Sequence, residues 1–324
     1  MKKAILLRTF LALTITLFAA VPQSRGGDLL LAAFGGDVIV RYNSTLGTFS
    51  TFATSPGMDG PTAMVYGADG NLYVLNEFSH NVLRFNGTTG AFIDEFISSA
   101  TLAAAGVPDP GDMELGADGN LYISSHFPGG GPLFTAVWKF SGTVANALLG
   151  PFATFGGVHH THGLTFGPSG NLYLNDIDNG GPHIFNGITG AKIGTIALGS
   201  PPIFFGDLTF TPDGTLYVTV DGGGGVLRYD GVTTTALISP GAGQSYWGIL
   251  AADGFLYVSN KDSGTLKKYT DTGVFVADIT GGPPAFDIIA MVVPEPGTGL
   301  LLFVGLVGLG LSWRRWRKSA FRAE

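Results

Sequence analysis

The 324-residue sequence contains no cysteine, so neither disulfide cross-links nor thiolate chemistry is available to it. Positive charge is nearly missing from the body of the chain. Nine of the 17 cations lie at the two ends (Lys2, Lys3, Arg8, Arg25, Arg314, Arg315, Arg317, Lys318 and Arg322). Between Asp28 and Val292 eight cations face 22 acids, a body charge of about −14. A surface that acidic repels phosphates, which argues against nucleic-acid binding. The sequence also lacks a Walker loop, a nucleophile elbow and a His-Glu-x-x-His zinc pair.

What the chain has in excess is glycine, 51 residues, as a fold made of many tight turns requires. The glycines fall in a pattern. Gly67-Ala68-Asp69-Gly70-Asn71-Leu72-Tyr73-Val74 recurs as Gly116–Ile123, Gly167–Leu174, Thr211–Val218 and Ala251–Val258. Each copy places Asp-Gly or Ser-Gly between two apolar runs, a strong short-range hairpin signal. The marker tyrosines 73, 122, 173, 217 and 257 are spaced by 49, 51, 44 and 40 residues. Several short strands per repeat at this period mark a β-propeller.

A second strand of recurring form follows each Leu-Tyr strand: Val82–Gly87, Val137–Gly142, Val226–Gly231 and Thr265–Tyr269, with His183–Gly187 as a variant lacking a cation. Another strand then closes each unit, as at Ala91–Phe96, Lys192–Leu198 and Val274–Ile279, so each repeat is a four-stranded meander. The first unit lacks its opening strand, since Asp28–Ala33, Val38–Tyr42 and Thr48–Ala53 match only the later three. The missing strand is found at Phe286–Val292. Pairing it into the N-terminal unit closes the ring and removes two exposed edges. The expected fold is therefore all-β, a six-bladed propeller over residues 28–292.

These repeats resemble the NHL and streptogramin-lyase-like propellers, whose units carry a Gly-Leu-x-x-x-Pro-Asp-Gly-x-Leu-Tyr-Val core. Gly163-Leu164-Thr165-Phe166-Gly167-Pro168-Ser169-Gly170 and Gly206–Tyr217 are the copies nearest to it. The resemblance implies architecture, while activity varies across that superfamily. Streptogramin lyases are seven-bladed and use a histidine near the channel with a divalent metal. This sequence matches neither their blade count nor their motif residue by residue. Nor does it show the Glu, Asn and Asp set of gluconolactonase-type propellers.

The two ends read differently from the body. Residues 1–26 have the form of a signal peptide, with Lys2, Lys3 and Arg8 ahead of the apolar run Phe10–Val21. Residues 293–324 carry Pro294-Glu295-Pro296, an apolar run Gly299–Trp313 and a basic cluster from Arg314 to Lys318. At about 1.5 Å per residue, the 17 residues from Gly297 to Trp313 make a short transmembrane helix, with the basic end cytoplasmic and the propeller outside. This order resembles the PEP-CTERM sorting signal. The resemblance implies a bacterial exosortase substrate, processed near Pro-Glu-Pro and at the cell surface at least transiently.

Two groups of residues are candidates for chemistry. Registering the repeats on their turns puts Asp112, Gly163, Asp207 and Asp287 at one position of the innermost strands, with His162 one residue earlier. Three carboxylates converging on one axis either bind a cation such as Ca²⁺ or bond to the backbones of neighbouring blades. His159 and His160 precede the same strand as His162, and imidazoles serve as metal ligands or general bases. The ends of the second strands share the mouth where the first strands begin. That directs Glu77, His126, Asp176, Asp221 and Lys261 toward it, with His80 and the Pro128–Pro132 loop nearby. The column Arg41, Arg84, Lys139, Arg228 and Lys268 recurs once per blade, so it belongs to the exterior of the fold. The functional expectation is a surface-displayed binding or scaffold module for exopolysaccharide or another envelope component. The alternative is a metal-assisted lyase or hydrolase at the channel mouth.

Overall fold

Every repeat folds as a four-stranded antiparallel sheet, and six such sheets make up the protein. The computed structural model describes residues 27–107, 109–126, 131–157, 161–176, 181–198, 204–221, 225–239, 246–285 and 287–291. Blade 1 holds β1 (Leu29–Ala33), β2 (Val38–Asn43) and β3 (Thr48–Ala53). Blade 2 runs through β4 (Pro61–Tyr66), β5 (Leu72–Asn76), β6 (Asn81–Phe85) and β7 (Phe92–Ile97). Blade 3 has β8 (Pro110–Leu115), β9 (Leu121–Ser125), β10 (Gly131–Phe140) and β11 (Leu148–Gly157). Blade 4 follows with β12 (Thr161–Phe166), β13 (Leu172–Asp176), β14 (His183–Phe185) and β15 (Lys192–Thr195). Blade 5 comprises β16 (Phe204–Phe210), β17 (Leu216–Asp221), β18 (Gly225–Tyr229) and β19 (Thr234–Ile238). Blade 6 comprises β20 (Tyr246–Ala252), β21 (Phe255–Asn260), β22 (Leu266–Thr270) and β23 (Phe275–Ile279).

The last strand, β24 (Asp287–Ala290), completes blade 1. It pairs antiparallel with β1, Leu31 opposite Ile288 and Ala32 opposite Asp287. The Met291 N–H adds a bond to the Asp28 carbonyl at 2.9 Å. The ring is thus closed by joining the two ends of the propeller segment in one sheet, and the β1 edge is covered by β24.

The recurring turn shows why its residues repeat. In blade 2 the Gly67 N–H donates to the Asn71 carbonyl and the Gly70 N–H to the Gly67 carbonyl, both at 2.9 Å. The Asp69 carboxylate accepts the Asn71 N–H at 3.0 Å and the Tyr73 hydroxyl at 3.1 Å. Gly70 has φ of +76°, a left-handed conformation that favours glycine. Blade 6 compresses the turn to two residues: Ala252 faces Phe255, and Asp253 and Gly254 have φ of +56° and +76°. Positive φ at both central residues is the hairpin turn that Asp-Gly favours.

Each marker tyrosine faces the cation of the next strand. Tyr73 lies opposite Arg84, Tyr122 opposite Lys139, Tyr217 opposite Arg228 and Tyr257 opposite Lys268, whereas blade 4 sets Tyr173 opposite Ile184. The cation column is more than a solvated exterior stripe. Lys139 bonds Asp118 at 2.6 Å, the Arg84 guanidinium lies 5.0 Å from the Phe96 ring centroid, and Lys268 lies 3.7 Å from that of Phe255. These cations cover aromatic faces between strands, which joins cation–π attraction to apolar burial of their stems.

Blades 2 and 3 depart from the uniform meander. A short helix, α1 (Ser99–Ala105), separates them. Ser98 caps it by accepting the Thr101 N–H, and Gly106 ends it with φ of +79°. Its buried Leu102 joins Val82, Phe96, Met113 and Phe140 in the core between these blades, and the Trp138 indole N–H donates to the Ala105 carbonyl at 3.0 Å. The outer hairpin of blade 3 is extended, with ten residues in each of β10 and β11. Gly131 and Pro132, expected in a loop, fall inside β10.

Among the described residues no helix is long and apolar enough to cross a membrane. The expected signal segment, His159, His160 and the tail with Pro294, Glu295 and Pro296 lie outside the described residues.

Candidate functional site at the channel mouth

The innermost strands line the central axis, and those of blades 2 to 6 break register at the same place, whereas β24 pairs with β1 in unbroken register. Shifts fall between Pro61 and Ala63, Pro110 and Met113, His162 and Leu164, Phe205 and Leu208, and Tyr246 and Ile249. A bulge leaves a main-chain N–H without a ladder partner. Hydroxyls on the second strands supply it: Ser124 Oγ accepts from Asp112 N at 3.0 Å, Thr219 Oγ1 from Asp207 N at 2.9 Å, and Ser259 Oγ from Gly248 N at 2.9 Å. Sequence reasoning missed these residues. Their signal was a hydroxyl two places after the marker tyrosine, in an otherwise apolar strand.

At the equivalent position of the inner strands, carboxylates alternate with small residues around the ring. Blades 1, 3 and 5 present Asp287, Asp112 and Asp207, and blades 2, 4 and 6 present Ala63, Gly163 and Gly248. Each aspartate reaches the next blade. Asp287 Oδ2 accepts the Met64 N–H at 2.7 Å, Asp207 Oδ2 the Ile249 N–H at 3.2 Å, and Asp112 Oδ2 the Leu164 N–H. In Asp112 and Asp207 the other oxygen accepts the N–H of the following residue, Met113 at 2.7 Å and Leu208 at 2.6 Å. Blade 4 has no room for a side chain at this position. A Cβ on Gly163, whose φ is +53°, would stand 2.8 Å from the Gly206 carbonyl oxygen.

The three aspartates line one cavity of about 20 Å³ together with Thr62, His162 and Trp247, a space of roughly one water molecule. The three aspartates are part-buried against this space, with most of each side chain covered by protein. Burial therefore pushes Asp112 and Asp287 up to about 7. Asp207 rises well above the usual carboxylate range through burial and the charges of Asp112 and Asp287. Glu114 is raised for the same reasons. Burial and mutual repulsion thus oppose three full negative charges in the channel, while the main-chain N–H bonds to the carboxylates favour them.

A second cluster lies at the blade 2–blade 3 junction. Glu77 follows β5, Asp109 precedes β8 and His126 follows β9. One ligand atom from each lies within 4.8 Å of the others, with His126 Nδ1 3.8 Å from Glu77 Oε2. Main-chain bonds hold the frame: Glu77 N to Gly60 O at 2.8 Å, His126 N to Asp109 O at 2.8 Å, and Thr161 N to His126 O at 3.2 Å. Burial, and then the charge of Asp109, pushes the Glu77 carboxyl up to about 7. Asp109 is raised by burial as well, with the charge of His80 opposing.

Aromatic rings connect the two clusters. The His126 and His162 rings lie with centroids 3.9 Å apart, tilted by 48°, and His162 meets Trp247 edge-on at 4.8 Å. Lys261 Nζ lies 5.6 Å from the Trp247 ring centroid. The structure thus brings His162, Asp112, Asp207 and Asp287 together, and gathers Glu77 and His126 with Asp109, which the sequence analysis did not single out. Asp176 is a correction. It is fully buried inside blade 4, not turned to the mouth, and its Oδ2 lies 2.6 Å from His183 Nε2, because a carboxylate among packed strands needs a hydrogen-bonding partner. The Asp221 side chain lies outside the described residues.

Comparison with known proteins identifies the tail and the fold. The PEP-CTERM protein-sorting motif matches residues 292–318, and a sorting signal of this kind implies export to the cell envelope. The chain has the propeller fold of a solved nidogen–laminin complex, at 16% identity and a TM-score of 0.61 over 81% of this chain and 97% of that one. A protein of unknown function from Bacteroides caccae is similar at 13% identity and a TM-score of 0.57, covering 81% of this chain and 97% of that one. A streptogramin B lyase structure matches at 16% identity and a TM-score of 0.52, covering 71% and 72%. At these identities the likeness is one of fold. No curated protein matches the chain.

Proposed function

We propose that this exported propeller is a non-catalytic binding module of the cell envelope, taking a polysaccharide or another envelope component at its channel mouth. The observation that carries the reading is the set of groups at that mouth. Trp247 and His162 offer ring faces and edges with the buried His126 ring behind them, and Glu77, Asp109 and Lys261 offer hydrogen bonds beside them. An amphipathic aromatic surface with polar groups around it suits a sugar ring, which has both an apolar face and hydroxyls. Blades 2, 3, 4 and 6 all contribute to it, so the ligand recognises the closed ring and not one repeat. The sorting tail supports the location: an exosortase-type protease cuts near Pro294-Glu295-Pro296, and the apolar segment holds the protein at the membrane until then.

Glycan arrays and co-sedimentation with matrix polymer test the reading. Binding to a polysaccharide is expected, with Trp247→Ala at least tenfold weaker than wild type. Equal binding by that variant moves the ligand away from the mouth. Turnover of a lactone or cyclic ester by the purified protein overturns the non-catalytic reading in favour of a lyase or hydrolase.

A further inference from the structure

We infer that Glu77, Asp109 and His126 form a binding site for one divalent transition-metal cation of the Zn²⁺ class, at the junction of blades 2 and 3. The inference rests on the mouth being the binding face, and it goes further by assigning an inorganic ligand and its three protein donors. The donor set is one imidazole nitrogen and two carboxylates, a mixture that suits a borderline cation more than Ca²⁺, which gathers six to eight oxygens.

The spacing matches a shared ion better than a direct hydrogen bond. His126 Nδ1 and Glu77 Oε2 are 3.8 Å apart, beyond the range of about 2.7–3.2 Å for an N–H···O bond. Two atoms at that separation both reach a cation about 2.1 Å away. All three donors fall within 4.8 Å of one another, so small side-chain rotations bring the third into range. The two carboxylates repel each other and are half-buried, and a cation between them relieves both repulsion and desolvation.

The frame around the imidazole is built for it. The His126 main chain is held on both sides, through its N–H to Asp109 and its carbonyl to Thr161. Its ring occupies the space that a side chain on residue 111 would take. A Cβ on Gly111 would lie 2.3 Å from His126 Cδ2 and 2.8 Å from its Nε2. The ring is sandwiched between that glycine and His162. Glu77 comes from the neighbouring blade, so the ion would bridge blade 2 to blade 3. None of the three aspartate bonds between blades falls there, since Ala63 stands at the aspartate position of blade 2 and its neighbour Asp112 bonds forward to blade 4.

The test uses the full chain, untagged, stripped with EDTA and titrated with ZnCl₂ by calorimetry in the absence of any glycan. One Zn²⁺ per chain is expected, with affinity at least tenfold weaker in Glu77→Gln and in His126→Gln. Co²⁺ loading is expected to give visible absorption bands in the wild type that both variants lose. Asp109→Asn, which keeps the side-chain shape, serves as the third variant, and the melting temperature of each metal-free variant confirms that it is folded. Zn²⁺ affinity unchanged in all folded variants overturns the inference, as does no stoichiometric binding. Selective uptake of Ca²⁺ that survives these substitutions also overturns it, and locates a cation at Asp112, Asp207 and Asp287. A negative glycan array with positive Zn²⁺ titration would reject the polysaccharide reading alone.

Discussion

Asp207 of blade 5 accepts the main-chain N–H of Ile249 of blade 6 at 3.2 Å. Asp112 and Asp287 repeat the relation two blades away in either direction, reaching Leu164 and Met64. A six-fold repeat is thus joined at its axis with three-fold regularity. Six carboxylates in one narrow channel would repel one another far more than three that alternate with glycine or alanine.

Stability is expected to fall as pH rises from about 5 to about 8. Asp112 and Asp287 titrate near 7 when folded, Asp207 and Glu114 are also raised, and ordinary aspartates titrate near 4. The folded state therefore holds more protons than the unfolded chain between those values. Its advantage is complete below about pH 4 and is lost as pH climbs through 7. Melting temperature against pH measures this. Asp207→Asn, which keeps one of the two acceptor oxygens and removes the titrating group, is expected to flatten the slope, and an unchanged slope would remove the channel acids as its source.

Asp287→Ala removes the acceptor of the Met64 N–H and is expected to cost about 1–3 kcal/mol, the penalty of an unsatisfied buried donor. Urea denaturation provides the measurement. A truncation after Ala285 should be worse, because it also strips β24 from β1 and opens the ring. A truncated protein as stable as the full chain would contradict closure by the composite blade.

A glycine after the third strand passes close to the first turn of its own blade. A Cβ on Gly187 would lie 1.7 Å from the Gly170 carbonyl oxygen, and Gly87 and Gly142 meet Gly70 and Gly119 in the same way at 2.1 and 1.9 Å. Gly187→Ala is expected to destabilise the protein by about 1–3 kcal/mol or more, as forced overpacking does. Gly35→Ala, with nothing within 4 Å of its Cβ, is the control and should be near neutral by thermal melting.

Trp138→Phe deletes the indole bond to Ala105 while keeping an aromatic ring. A loss of about 1 kcal/mol is expected, accompanied by faster hydrogen exchange at Leu102 and Ala103. Unchanged exchange there would mean that α1 is held by Leu102 packing alone.

The segments around Tyr73, Tyr122, Tyr173, Tyr217 and Tyr257 were legible because local chemistry sets them: a turn needs positive φ, and a half-buried strand alternates. The composite blade was legible by subtraction, one strand lacking at one end and one spare at the other. Helix α1 was not, because its seven residues carry only a Ser98 cap and a Gly106 stop, too short a stretch for a helical period to stand out. Asp109 went unnoticed since nothing in its own repeat distinguishes it. It becomes part of a site only through Glu77 and His126, 32 residues before it and 17 after it.

The sequence by itself determined the number of blades, the acidic body, the sorting tail and the ring position shared by Asp112, Asp207 and Asp287, since all follow from period and composition. Tertiary structure alone decided what those aspartates bond to, that Asp176 is buried against His183, and that Glu77, Asp109 and His126 meet. The reason is physical. Turns and strands are specified by neighbours in the chain, whereas hydrogen bonds and charges across a blade junction depend on distances that only the closed ring fixes.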